Sequence, residues 1–461
     1  MGNAIIGLEV HSQLNTESKL FCSCPTTASE PNTAVCPTCC GFPGAKPVLN
    51  KKAVDYAIMV ALALNCKINN EFFFSRKTYF YPDLAKNFQI TQYEIPVGQN
   101  GFVEIEGRQI RIRRVHLEED PASLVHEGGM GASSYSLVDY NRSGVPLVEV
   151  VTEPDLESPQ EARKFLDALL TTLNYIGVYS HGESVLKADC NISIKGGARV
   201  EVKNVTGFRA VEDALEAEFE RQKKEVAGGS KMVQHTRGFD AETKSTYEMR
   251  TKESDDDYGY VSDTDLVKTH VDEAWLAGIM KRMPELADAK AKRFEKQYGV
   301  KGYDAKVLSS SKVLADIFED CAKIDAVIAA RLVSRELLGI LNHNKLSLTE
   351  TKINSGGISG LVSLVKNAKV SERNAKESLI RYALEGIAPK EFLEKNEMLI
   401  DVSLGELERA VKEAAAENKD AFSEFASGNT KSLNFLIGIV MRKMKGKADA
   451  RQIQKILGEM K

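Results

Sequence analysis

Ile5-Ile6-Gly7-Leu8-Glu9-Val10-His11 opens the chain with the pattern of a β-strand. Side chains alternate across a strand, so Leu8 and Val10 share one face and Glu9 and His11 the other. A carboxylate and an imidazole on a covered face each need a partner. Antiparallel sheets often leave one face in water, and that bland reading accounts for this stretch taken alone. Two more segments of the same kind follow, Val115-His116-Leu117-Glu118-Glu119-Asp120 and Pro146-Leu147-Val148-Glu149-Val150-Val151. Three apolar segments bearing His and Glu point to one acidic pocket suited to a divalent metal ion.

The bulk properties narrow the class. A chain of 461 residues is long enough for about three domains. Its formal charge of −4 is near balance, so any nucleic-acid contact must come from a local patch. No apolar run reaches the roughly 18 residues of a membrane span. The early strand leaves no room for a secretory leader. Eight cysteines in a chain of this length do not make a secreted disulfide scaffold, and a reducing cytoplasm is the expected compartment.

Four of those cysteines are grouped. Cys22-Ser23-Cys24 and Cys36-Pro37-Thr38-Cys39 flank a short loop, a spacing that closes a tetrathiolate site for zinc. The alternative is four buried free thiols. With all four positions cysteine, no ligand position is left open, so the zinc is expected to be structural. Cys40 stands beside the quartet as a spare.

Further along, Asn50 caps an expected helix with Val54, Ala57, Ile58, Ala61 and Leu62 on one stripe. The stretch Phe72-Phe73-Phe74-Ser75-Arg76-Lys77-Thr78-Tyr79-Phe80-Tyr81-Pro82-Asp83 interleaves aromatics with two cations. It reads equally as a phosphate- and base-holding surface and as a strand with aromatic core positions. Alternation on either side of Gly107 predicts a hairpin. The Gly128, Gly129 and Gly131 loop lacks the spacing of a phosphate-binding P-loop. Ser158-Pro159-Gln160-Glu161 predicts a capping box, and the helix it starts stops at Gly177. Two strands follow, carrying Asp189 and Asn191 on the first, and then a helix from Val211 to Val226. The acidic run Ser254-Asp255-Asp256-Asp257-Tyr258 reads as a solvated loop.

The pattern therefore predicts an α+β fold: an N-terminal domain with a mainly antiparallel sheet over residues 1 to about 290, an all-helical domain over about 291–400, and a helical tail over about 401–461. Apolar stripes such as Val313, Ile317 and Phe318, then Ile324, Val327, Ile328 and Leu332, mark the second region. From Lys431 to Lys461 there are eight Lys/Arg against two acids, a surplus of about six positive charges. That tail reads either as a phosphate-backbone contact or as a solvated helix face.

Taken together, Ile6-Gly7-Leu8-Glu9-Val10-His11, Arg76-Lys77-Thr78-Tyr79-Phe80-Tyr81-Pro82-Asp83, His116-Leu117-Glu118-Glu119-Asp120, Leu137-Val138-Asp139-Tyr140-Asn141-Arg142 and Val151-Thr152-Glu153-Pro154-Asp155 resemble the GatB subunits of tRNA-dependent amidotransferases. The resemblance runs over nearly the whole chain and is densest before residue 260. It implies a cradle domain, a helical domain and a tRNA-gripping tail. It implies ATP-dependent phosphorylation of the side-chain carboxylate of Glu-tRNA(Gln) or Asp-tRNA(Asn), followed by amidation with ammonia. It implies two partners, an amidase (A-type) subunit that releases the ammonia and a small C-type subunit. The motif match puts Mg2+ on His11, Glu119 and Glu149, with Glu9 and Glu118 as nearby ligand or water-orienting groups and Asp189 shaping the site. Arg76, Lys77 and Tyr81 are then expected on ATP or on the tRNA end.

Two departures from the family matter. Asp257-Tyr258-Gly259-Tyr260-Val261-Ser262-Asp263-Thr264-Asp265 stands where the family usually has Asp-Tyr-Arg-Tyr-Phe-Pro-Glu-Pro-Asp, so an Arg is replaced by Gly259. The cysteine quartet occurs in only part of the family, so zinc rests on its spacing here. The competing reading is a zinc-containing tRNA-binding scaffold with no chemistry of its own. No glutaminase nucleophile is apparent, so the chain alone is expected to use only free ammonia. The sequence leaves open which of the two aminoacyl-tRNAs is used.

Overall fold

In the computed structural model the opening strand, β1 (Ile5–Gln13), is the middle strand of a nine-stranded sheet. The structure describes residues 4–126, 135–179, 186–229, 232–251, 259–400, 404–444, 448 and 450–460, with the side chains of 204, 250 and 251 left aside. The Gly-rich loop at 128–131, the acidic run at 254–258 and the basic residues Lys445 and Lys447 lie outside the described residues.

The other strands of the sheet are β2 (Lys67–Ile68), β3 (Gly98–Ile105), β4 (Arg108–Glu119), β5 (Pro146–Thr152), β6 (Leu186–Ser193), β7 (Val200–Thr206), β8 (His235–Asp240) and β9 (Ser245–Thr251). The order across the sheet is β9-β8-β7-β6-β1-β5-β4-β3-β2, antiparallel except for the β7–β8 pair. β3 and β4 form the expected hairpin. Its turn carries positive φ at both central residues, Glu106 at 51° and Gly107 at 84°, the twist that a two-residue hairpin loop requires.

Three helices cover one face: α1 (Lys51–Ala63), α2 (Pro159–Tyr175) and α3 (Phe208–Ala227). Asn50 caps α1 by accepting from the Lys52 and Ala53 N–H groups. Ser158 caps α2 at Glu161 N–H, while the Glu161 carboxylate returns to Glu157 N–H, one residue earlier than a capping box predicts. The helices bury Val54, Ile58, Phe165, Leu169 and Leu215 against Leu8, Val10, Leu117, Val150 and Ala188 of the sheet. Gly98 and Gly101 let the end of α1 lie on β3; a Cβ on Gly101 would stand 2.4 Å from Leu64 O.

With its apolar face spent on this core, the sheet turns its polar face the other way. Beside it stands a three-stranded sheet of Gly259–Ser262, Ser75–Thr78 and Phe88–Thr91.

The chain divides into two compact units, Met1–Leu286 and Ala287–Lys461. The second unit is helical. Its helix Lys312–Ala322 buries Ile317 and Phe318 as the stripe predicts, together with Leu314 and Cys321, whereas Val313 is 45% exposed and lies off the buried face. Val327 is likewise exposed. Near the C-terminus Leu407, Val411, Leu436, Val440, Ile453 and Leu457 form an apolar cluster of their own.

Candidate active site

Register builds the site. His11 on β1 lies opposite Glu149 on β5, and Glu149 lies opposite His116 on β4. All three side chains stand on the polar face, and Glu118, two residues beyond His116, shares it. His11 Nε2 is 3.5 Å from Glu149 Oε2 and 3.6 Å from Glu118 Oε1. His116 Nε2 is 2.7 Å from Glu149 Oε2, and Thr91 Oγ1 donates to Glu118 Oε2 at 3.0 Å.

The electrostatics are those of a largely buried charge cluster, with His11 its most exposed member. Burial works against charge on Glu149, but the imidazoles of His116 and His11 overcome it and hold the carboxyl well below its usual range. Burial likewise disfavours a charged His11; Glu149 and Glu118 prevail and hold it up at about 10. Glu9 is pushed up, first by burial and then by Glu149, Glu201 and Asp189.

One imidazole nitrogen and two carboxylate oxygens, one from each residue, lie within 4.8 Å of one another in His11, Glu118 and Glu149. The His11 contacts of 3.5 and 3.6 Å fall between the cis and trans ligand separations, about 3.0 and 4.2 Å, of an octahedral ion with bonds of about 2.1 Å. One imidazole nitrogen and two carboxylate oxygens are donor types that a divalent cation takes, and a shift of about half an ångström brings them to cis spacing.

Glu119 is not part of this group. It is the next residue on β4 and points through the sheet, where Lys86 Nζ donates to it at 2.6 Å and Ile90 N–H at 2.9 Å. The motif match puts Glu119 in the ligand set; strand alternation instead brings Glu118 beside His11 and Glu149.

The cluster sits in a cavity of about 760 Å3. Glu9, Asp189 and Glu201 line one side of it, and Asn191 Nδ2 donates to Glu9 Oε1 at 3.1 Å. Lys77, Arg113, Arg114, Arg142, Lys187 and Lys203 also line the cavity and bring positive charge to it.

Residues 4–277 match the family model described as the GatB/GatE catalytic domain, and residues 316–460 match that of the GatB domain. The B subunit of the aspartyl/glutamyl-tRNA(Asn/Gln) amidotransferase of Thermotoga petrophila is 44% identical over 476 residues, covering 98% of each chain. The corresponding protein of Saccharolobus solfataricus is 42% identical over 463 residues, again 98% of each. That of Methanospirillum hungatei is 41% identical over 469 residues, 99% of this chain and 98% of its own. The chain belongs to the GatB family.

The structure separates the residues that the GatB resemblance grouped as a nucleotide contact. Lys77 lines the cavity. Arg76, its neighbour, is held by Asp263 at 2.9 Å and Asp265 at 3.2 Å, and lies over the Phe88 ring. Two carboxylates already neutralise its charge. Those acids belong to the stretch that departs from the usual GatB motif, where Gly259 pairs with Thr78 and Tyr260 stacks on Tyr93 at 3.9 Å. Tyr81 is 51% exposed and is not among the residues lining the cavity.

The quartet Cys22, Cys24, Cys36 and Cys39 brings its four sulfurs within 4.8 Å of one another. Cys36 and Cys39 Sγ are 3.9 Å apart, against about 3.8 Å for the edge of a zinc tetrathiolate with 2.3 Å bonds. Hydrogen bonding from Cys22 holds Cys39 down at about 4 against burial, helped by Cys36 N–H and the Lys19 charge; burial pushes Cys24 up to about 11. Lys19 is fully buried, with Nζ 3.5 Å from Cys39 Sγ and 3.2 Å from Tyr140 O.

The sequence reading assigned no role to His116, Lys19, Thr91 or Lys187. His116 was detectable, since it stands two residues from Glu118 and so on the same strand face. Lys187 was detectable in the same way, two residues before Asp189 on one strand, whereas Lys19 and Thr91 come from segments with no shared pattern.

Among the described residues no helix is long and apolar enough to cross a membrane.

Proposed function

We propose that the chain is the component of a tRNA-dependent amidotransferase that phosphorylates the side-chain carboxylate of Glu-tRNA(Gln) or Asp-tRNA(Asn) with ATP, and then amidates it with ammonia. The observation that carries this reading is the convergence of His11, Glu118 and Glu149 from three adjacent strands, inside a cavity also lined by Lys and Arg side chains. A carboxylate is a poor electrophile because oxide is its leaving group. Phosphorylation supplies a phosphate that ammonia can displace, giving the amide and releasing phosphate.

His11, Glu118 and Glu149 would hold Mg2+, with Glu9 and Asp189 orienting water or substrate beside them. A bound ion supplies positive charge to the transferring phosphoryl group. Lys77, Arg142 and Lys187 place further positive charge along the wall, where anionic oxygens need it. Cys22, Cys24, Cys36 and Cys39 would hold a structural zinc that braces the loop against Tyr140 through Lys19. The relatives are named as one component of a multi-subunit amidotransferase, which supports an assembly with an amidase subunit as ammonia source and a small C-type subunit. The division of the helical unit at about residue 400, with a tail that grips tRNA, belongs to the same proposal.

The test is a purified assay with each misacylated tRNA, ATP, Mg2+ and ammonium, with and without the amidase partner. Wild type gives the amidated tRNA with free ammonium. His11→Ala gives none while still binding tRNA. Undiminished phosphorylation in His11→Ala would reject the reading in favour of a non-catalytic tRNA-binding scaffold.

A further inference from the structure

We propose that His116 is a positioning residue that orients the two carboxylates of the metal site from their buried side, without ligating the ion. The inference rests on the metal reading of His11, Glu118 and Glu149. The side chain of His116 is 3% exposed, whereas that of His11 is 24% exposed. The cluster thus has one imidazole near solvent and one on the floor. Nε2 of His116 carries a hydrogen in either charge state in which it bonds to a carboxylate, and it lies 2.7 Å from Glu149 Oε2 and 3.5 Å from Glu118 Oε2.

Glu118 Oε2 is thereby engaged by His116 and Thr91, while Glu118 Oε1 faces His11 Nε2 at 3.6 Å. Thr91 and His116 together therefore set which oxygen of Glu118 is presented to the ion, and His116 alone makes the 2.7 Å contact to Glu149. The other ring nitrogen, Nδ1, is buried and has no hydrogen-bond partner among the described residues. The polar contacts of this ring thus all run through Nε2, to the two carboxylates. Outer partners of this kind fix ligand orientation and raise affinity.

Mn2+ binding to the full-length chain, followed by electron paramagnetic resonance with nitrogen electron spin echo modulation, tests this. His116→Leu removes the donor and is expected to weaken Mn2+ binding about 10- to 100-fold. His116→Gln places an amide nitrogen where Nε2 stood and is expected to recover most of the affinity. Both variants keep the coupling of one coordinated imidazole nitrogen, which His11→Ala removes. Should the leucine variant fail to fold, His116→Asn, polar but too short to reach Glu149, takes its place with the same expectation. Wild-type affinity in the donor-free variant overturns the proposal, and so does loss of a coordinated-nitrogen coupling in His116→Gln, which would make His116 a ligand. If wild type and His11→Ala bind Mn2+ alike, the metal reading itself falls and this inference with it.

Discussion

Glu118 and Glu119 are chemically identical neighbours with opposite environments. One step along β4 separates a carboxylate beside two imidazoles from a carboxylate beside Lys86. Substitution should separate them cleanly. Glu118→Gln is expected to weaken Mn2+ binding by at least about 10-fold, the lower end of what even an outer partner contributes. Glu119→Gln should leave that affinity within a few-fold and instead cost about 1–3 kcal/mol of stability, because Lys86 loses a charged acceptor in a buried setting. Titration of Mn2+ and denaturant melts of both variants read the two effects apart. A loss of Mn2+ binding in Glu119→Gln equal to that in Glu118→Gln would contradict this placement. The same alternation separates Lys77, on the cavity wall, from Arg76, held by Asp263.

Elements are joined to the sheet by a few buried polar contacts as well as by the core. Asp55 on α1 accepts from Trp275 Nε1 at 2.7 Å and Arg282 Nη2 at 2.9 Å, pinning the helix Glu273–Met280 and the turn after it. Burial opposes charge on Asp55, but the Arg282 and Trp275 hydrogen bonds hold its carboxyl below the usual range. A depressed carboxyl stabilises the fold fully above its unfolded value and loses that contribution as pH falls through the folded one. Asp55→Asn is therefore expected to cost about 1–3 kcal/mol at neutral pH. The gap from wild type should shrink below about pH 4, where the carboxyl protonates in the unfolded chain and then in the folded one. Melts at a series of pH values check both the size and the direction. A gap that widens in acid would show that the carboxylate is not the source. The cysteine loop makes a parallel case. With few strands or helices of its own, it should release about one equivalent of zinc per chain to a thiol-reactive mercurial, and Cys36→Ser should abolish that release.

At the scale of the whole molecule, the charge of the helical unit bears on the proposed tRNA binding. The tail's charge surplus is smaller in the folded chain than along the sequence. Lys443 pairs with Glu417 at 2.6 Å, and Arg451 with Glu372 at 3.3 Å. Truncation after about residue 400 is still expected to weaken binding of the proposed tRNA substrate, and to flatten the salt dependence of binding in proportion to the phosphate contacts removed. The first unit should keep its melting transition, because its core draws on residues no later than Leu286. Filter binding of tRNA across a salt series, beside a thermal melt, checks both. Unchanged affinity and slope would assign the tail to packing.

Much of this was legible along the chain. The caps at Asn50 and Ser158, the hairpin at Gly107, the cysteine quartet and the polar faces of three strands are local, because period, spacing and φ preference are local properties. Only the folded sheet decided which of Glu118 and Glu119 reaches the cavity, that His116 lies against Glu149, and that Arg76 is already neutralised by acids from a segment nearly two hundred residues away. Such choices depend on register between strands and on pairing across long separations, and neither leaves a mark in residue order.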